Sequence, residues 1–308
     1  MIELEEQVEG WFTLSAFKVD ADGNERAGTR REVAGPFRNL ITNGGLDRMG
    51  TADDWMGYCQ VGSGNSTPVV TNSALVARVA GSSVNAGESR AAQPSAPYYY
   101  SVTRTFRFAV GVATGNLAEV GVGWAATGSL FSRALILDTA GDPTTITVLA
   151  DEVLDVTYQF RCYPPLTDTG GTVTLAGASY AWTGRASKVA TYSSDEGWSG
   201  PEAATVKGGN GSIQSSFDGT IGTITGKPSG TGQAGVTASN LAYSAGSFSR
   251  EGTLTFELTQ GNFAGGLGAI LYRQGMGCYQ IGFTPKIPKD GTKVLALTVR
   301  TTWARKAL

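Results

Sequence analysis

The chain has 308 residues, more than the roughly 100 to 200 of an ordinary domain, and its 43 glycines, 41 % hydrophobic and 16 % charged residues are the composition of a loop-rich β protein. Its 24 basic and 26 acidic residues leave a net charge of −2 with no Lys/Arg stripe, which argues against nucleic acid as a partner. No run nears the roughly 20 apolar residues of a membrane span, and Met1 to Glu6 lacks the basic head and apolar run of a secretory signal, so the expectation is a soluble chain made in the cytoplasm, with no membrane insertion.

In chain order, residues 10–20 alternate aromatic and β-branched side chains and run into Ala21-Asp22-Gly23-Asn24, which predicts a strand entering a hairpin. Arg31 to Val33 reads as the return strand, cut at Pro36 because proline cannot donate to a ladder. The small basic group Arg26, Arg30 and Arg31 reads as a solvated edge. Residues 39–50 predict a turn and one or two helical turns that need tertiary support. Tyr58 to Val61 predicts a strand, and residues 71–75 a short helix capped by Thr71 or Asn72. Strands follow at 98–108, 117–124, 130–137, 144–149 and 153–162, where Pro164 and Pro165 stop the sheet. Beyond them 172–175 and 179–182 read as strands, while the Gly/Ser/Thr-rich stretch 207–235 is either a loop or short strands whose glycines allow close approach.

An internal parallel organises the chain. Thr105-Phe106-Arg107-Phe108 followed by Gly115-Asn116 has its counterpart in Thr253-Leu254-Thr255-Phe256 followed by Gly261-Asn262, and 153–161 matches 294–302 at nearly the same offset. The expected fold is mainly β: two related antiparallel β-sandwich or half-barrel domains with only short helices. The first covers 1–168 and the second 169–308, a duplicate of the first, each with its last strand paired inside its own sheet.

The search for chemistry yields little. With no histidine, Ser-His-Asp and Cys-His arrangements and His-rich zinc sites are excluded. Cys59, Cys162 and Cys278 are odd in number and widely spaced, as reduced thiols packed in a core would be. Gly222 to Pro228 lacks the spacing and the Ser/Thr of a phosphate loop, and Gly62-Ser63-Gly64 and Gly266-Leu267-Gly268 lack the third glycine of a dinucleotide fingerprint. Acid pairs such as Asp53-Asp54, Asp151-Glu152 and Asp195-Glu196 offer the two carboxylates of a glycosidase, but residues adjacent in sequence usually diverge in space. Asn65-Ser66-Thr67 and Asn210-Gly211-Ser212 match a glycosylation sequon but read as turns. Tyr98, Tyr99, Tyr100, Trp55, Trp124, Trp182, Trp198 and Trp303 are read first as core and second as sugar- or protein-contacting residues. No catalytic, cofactor-binding or metal-ligating residue is assigned, no cofactor is expected, the binding residues stay unassigned, and the chain is read as not an enzyme.

Residues 10–14, Asn39-Leu40-Ile41-Thr42-Asn43-Gly44-Gly45-Leu46-Asp47, 59–68 and 71–75 resemble the openings of tail and minor virion proteins of tailed bacteriophages, and 115–123, 130–134 and 145–150 continue the pattern. The second half is similar through 279–285 and 295–305. The resemblance implies a virion structural protein of the distal tail (tail tip, baseplate or fibre attachment) acting by protein assembly. Its implied partners are other tail, baseplate or fibre proteins, copies of itself in a trimer or hexamer, and a host surface receptor. A receptor-binding tail-fibre module and a head or neck decoration protein are the alternatives.

Overall fold

The computed structural model describes residues 1–191 and 215–307. The chain is mainly β, of curled sheets in sandwich and half-barrel arrangement, with a single short helix among the described residues. In chain order the first half runs β1 (Ile2–Lys18), β2 (Arg31–Arg38), β3 (Leu40–Ile41), α1 (Asn43–Met49), β4 (Tyr58–Gly62), β5 (Arg78–Ser82), β6 (Asn85–Ala92), β7 (Tyr100–Phe108), β8 (Gly115–Leu117), β9 (Glu119–Gly123), β10 (Leu130–Leu135), β11 (Ile146–Val148) and β12 (Glu152–Tyr163). The second half runs β13 (Thr169–Leu175), β14 (Ala178–Ala186), β15 (Ser215–Phe217), β16 (Gly232–Gln233), β17 (Thr237–Asn240), β18 (Ser249–Phe256), β19 (Leu267–Arg273), β20 (Cys278–Ile287) and β21 (Leu295–Arg305).

β1 starts well before residue 10, because Ile2, Leu4 and Val8 alternate inward while Glu3, Glu5 and Gln7 face water. Glu6 hides that alternation in the sequence, being a buried acid on the apolar face. β2 runs through Pro36 instead of stopping there. It pairs only with β1, with register shifts near Leu14, and an edge strand leaves the proline's missing N–H without cost. The helix stands as predicted, with the Thr42 hydroxyl accepting the Gly45 N–H at 2.8 Å.

Three sheets carry the architecture. An eight-stranded sheet has the order β17-β18-β21-β1-β12-β7-β6, with β2 beside β1; a five-stranded sheet runs β3-β10-β9-β4-β5; a six-stranded sheet runs β13-β14-β20-β19-β15-β16. The expected confinement of each closing strand to its own sheet is corrected here. β12 and β21 lie in one sheet on either side of β1, β12 antiparallel from Gln7 opposite Tyr163 to Lys18 opposite Glu152, and β21 parallel from Ile2 opposite Val299 to Val8 opposite Arg305. The sheet therefore crosses from one half of the sequence to the other through β1. Burial follows suit, since one apolar cluster joins Phe12, Leu46 and Phe160 to Leu254, Leu297 and Trp303, and the Trp303 indole N–H reaches the Leu46 carbonyl at 2.9 Å.

The halves nevertheless repeat one strand plan. β3-β10-β9-β4-β5 and β14-β20-β19-β15-β16 occupy matching places, as do β12-β7-β6 and β21-β18-β17, and the matched strands follow in the same order along the chain. The register matches too: Phe108 lies opposite Leu154 and Phe106 opposite Val156, while Phe256 lies opposite Leu295 and Leu254 opposite Leu297. Between 215 and 235 the chain forms the short strands β15 and β16, and glycine is required where strands crowd: a Cβ on Gly268 would stand 2.0 Å from the Gly219 carbonyl oxygen. Residues 207–214 of that stretch, with Trp198, Asp195-Glu196 and the second sequon, lie outside the described residues.

Candidate binding face

The odd-numbered residues of β1 from Glu3 to Trp11 point away from the core, and the antiparallel register sets Glu9 opposite Arg161, Trp11 opposite Gln159 and Gln7 opposite Tyr163. This register assembles a row of aromatic and cationic side chains on the solvent face of the large sheet. The Arg161 guanidinium lies between two rings, 5.0 Å from the centre of Trp11 and 4.7 Å from that of Tyr99. Arg38 lies 5.8 Å from the Trp11 ring centre, Tyr99 packs 5.5 Å from Tyr163, and the Lys306 ammonium sits 4.4 Å over Tyr163.

Glu9 ties the row together. Its carboxylate accepts the Trp11 indole N–H at 3.0 Å, the Arg38 guanidinium at 2.5 Å and the Tyr163 hydroxyl, and it pairs with Arg161 at 3.6 Å. Burial alone would raise its pKa, but the bonds from Tyr163 and Trp11 and the charges of Arg38 and Arg161 prevail, and Glu9 is held below the ordinary glutamate value. Burial, together with the bond to Glu9, pushes Tyr163 up to about 12. A carboxylate so held stays ionised and orders its neighbours. Arg161 also donates to Gln159 at 2.6 Å, and Gln159 to Thr103 at 3.1 Å, extending the ordered row across β12 and β7.

A cleft of about 280 Å³ adjoins the end of the row, walled by Pro97, Tyr98, Tyr163, Pro165 and Leu166, with Lys306 at its rim. Trp11, Arg161 and Tyr163, the centre of this face, were not singled out in the sequence. The alternation of 153–162 together with that of 10–20 carried the signal, but the register that joins them was not legible.

The residues that were singled out go elsewhere. Trp55, Trp182, Trp303 and Tyr100 are buried in the core, Trp124 packs partly buried against it, and only Tyr98 and Tyr99 of the tyrosine run reach the face. Asp151 and Glu152 are split between Lys18 at 2.8 Å and Arg31 at 2.9 Å, and Asp54 pairs with Arg48 at 2.6 Å. Each of these acids is neutralised by its own cation. Arg30 is likewise engaged by Glu25 at 2.6 Å and Asp155 at 3.2 Å. Gly222 donates its N–H to Gln280 at 2.7 Å in a loop that no helix follows, which rules out a phosphate cradle there. The three cysteines are buried and form no disulfide among the described residues, and burial raises the thiol pKa of both Cys59 and Cys162. Among the described residues no group of three or more His, Cys, Asp or Glu is placed to hold a metal ion, and no helix is long and apolar enough to cross a membrane.

The predicted helix at 71–75 is absent, and its residues serve a buried ion pair instead. Arg133 and Glu119, both fully buried, meet at 2.8 Å. Arg133 donates to Asn72 at 3.0 Å and to the Ser66 carbonyl at 2.9 Å, while Glu119 accepts the N–H groups of Gly64, Val76 and Ala77. Asn72 therefore anchors a wrapped loop rather than a helix, because a buried charge pair needs every nearby donor and acceptor.

A second buried acid, Glu6, pairs with no cation among the described residues. Glu6 accepts from Gln274 at 3.0 Å, Tyr279 at 3.1 Å and Cys162 at 3.6 Å, joining β1 to β12 and to the β19–β20 hairpin. Burial pushes its pKa up to about 7, against the opposing pull of these bonds.

Compared with protein-family models, with curated proteins and with solved structures, the chain matches none.

Proposed function

We propose that the chain is a structural subunit of a tailed-phage virion, seated in the distal tail and acting by assembly with other tail, baseplate or fibre proteins and with copies of itself. The observation that carries this reading is the ordered row Arg38, Trp11, Arg161, Tyr99, Tyr163 and Lys306 on the open face of the large sheet. Tyr, Trp and Arg dominate the energetics of protein interfaces, and side chains already fixed by Glu9 lose little entropy when a partner arrives. The resemblance of 10–14, 39–47, 59–68, 71–75, 115–123, 130–134 and 145–150 to tail and minor virion proteins of tailed phages supports the same placement.

Gold-labelled antibody against the chain, imaged on intact particles by negative-stain electron microscopy, tests it. Label at the distal tail is the expected result; label on the head or neck replaces the reading with a decoration role, and unlabelled particles end it. A receptor-binding role is favoured by the Tyr98 and Tyr163 cleft beside the row. In that case the isolated chain binds intact host cells, and Tyr98→Ala abolishes the binding without changing the melting curve.

A further inference from the structure

A second cleft, of about 510 Å³, opens where the end of β21 crosses β1 and β3. Its floor is apolar, formed by Val8, Leu40, Ile41, Ala134, Leu135 and Leu137. Its wall carries Arg305, whose half-buried guanidinium donates to the Ile41 carbonyl at 2.5 Å and to the Asn43 side-chain oxygen at 2.6 Å. Both acceptors are neutral, no described carboxylate pairs with Arg305, and burial by itself pulls its pKa down. Lys306 lies next to it along the same cleft, its ammonium resting on Tyr163 and not on an acid. Arg38 and Arg133, which also line the cleft, are committed to Glu9, itself a lining residue, and to Glu119.

A charge withdrawn from water is ordinarily compensated by a counter-charge. Here a guanidinium is partly withdrawn at the edge of an apolar trough and finds only amide oxygens. The complement of that surface is an anion with an apolar body, and the volume lies within the range of small-molecule sites.

We propose that this cleft binds a small amphiphilic carboxylate, with the carboxylate on Arg305 beside Lys306 and the hydrocarbon laid along Leu40, Leu135 and Leu137. The assignment is independent of the virion reading, because it rests on a different surface and on small-molecule binding by the isolated chain. Arg305 gives the charge selectivity and the trough gives the length selectivity.

Calorimetric titration of the full chain with decanoate and with decanol, which share a hydrocarbon body and differ in charge, reads the proposal directly. The expected result is one decanoate per chain, with decanol weaker by roughly ten- to a hundredfold, the difference a charge-assisted hydrogen bond supplies. Arg305→Gln is expected to bring the two affinities together. Leu135→Glu, which places a like charge in the half-exposed trough, is expected to abolish decanoate binding while circular dichroism and melting stay unchanged. Absence of decanoate binding below its micellar concentration, equal affinity of the unmodified chain for the two probes, or undiminished decanoate binding in both variants overturns it. The decanoate and decanol comparison needs no variant, so misfolding of either substitution cannot shield the proposal.

Discussion

The two halves pin equivalent loops with different chemistry. In the first half the loop between β4 and β5 wraps the Arg133–Glu119 pair, an ion pair on β10 and β9 sealed from solvent. In the second half the loop between β15 and β16 closes on Gln280 of β20, whose amide accepts from the Gly222 N–H at 2.7 Å and donates to the Thr223 carbonyl at 2.7 Å. Both polar groups stand on the β hairpin that matches between the halves, and both satisfy loop backbone that would otherwise be buried without partners. The comparison teaches that the strand plan demands a polar clamp at this place but leaves its charge free. The costs of breaking the clamps differ, because a lone buried charge is far harder to accommodate than a lone amide.

The sharpest break is Arg133→Met, which leaves Glu119 buried without its cation; the folded state is expected to lose about 3 to 5 kcal/mol in urea unfolding. Glu6 comes next. It is neutral in the folded protein up to about pH 7 but ionises near 4.5 when unfolded, so the folded state holds the extra proton between those values. Stability therefore falls as pH rises from about 4.5 to 7, by on the order of 3 kcal/mol at most. Glu6→Gln should flatten that part of the urea-midpoint profile and leave the variant more stable than the parent at pH 8.

Gln280→Leu, the amide side of the comparison, is expected to cost about 1 to 3 kcal/mol, the penalty of unsatisfied backbone groups. A cost equal to that of Arg133→Met would mean the clamps do not differ as their charges require. The smallest expected effect is Arg161→Ala on the solvent face, about 1 kcal/mol or less in melting experiments, because its stacking partners remain half in water. Its larger consequence should appear in partner binding, so retained assembly in that variant would count against the row as an interface.

Much of the fold was legible because strands announce themselves by alternation. Residues 98–108, 130–137 and 153–162 fall on β7, β10 and β12, and the short helix expected within 39–50 stands as α1. The failures share a cause. Glu6 broke the pattern of β1 by being a buried acid, Pro36 was tolerated by an edge strand, and Asn72 was drawn from a helix cap to Arg133. In each case a partner distant in sequence overrode the local preference, and a local reading has no access to that partner. β5 and β6 were missed because exposed edge strands such as Asn85–Ala92 carry no apolar alternation to read.

The sequence by itself determined the β class, the recurring segments and the burial of the three cysteines outside any described disulfide. These follow from period-two alternation, from recurring segments and from spacing, all local or self-referential properties of the chain. Only the tertiary structure decided that one sheet spans both halves through β1, that Glu9 gathers Trp11, Arg161 and Tyr163 into one face, and that Arg305 ends beside an apolar cleft with no described carboxylate paired to it. Strand register fixes all three, and register depends on which strands meet across more than a hundred residues, a choice made by the burial of whole faces and not by any segment alone.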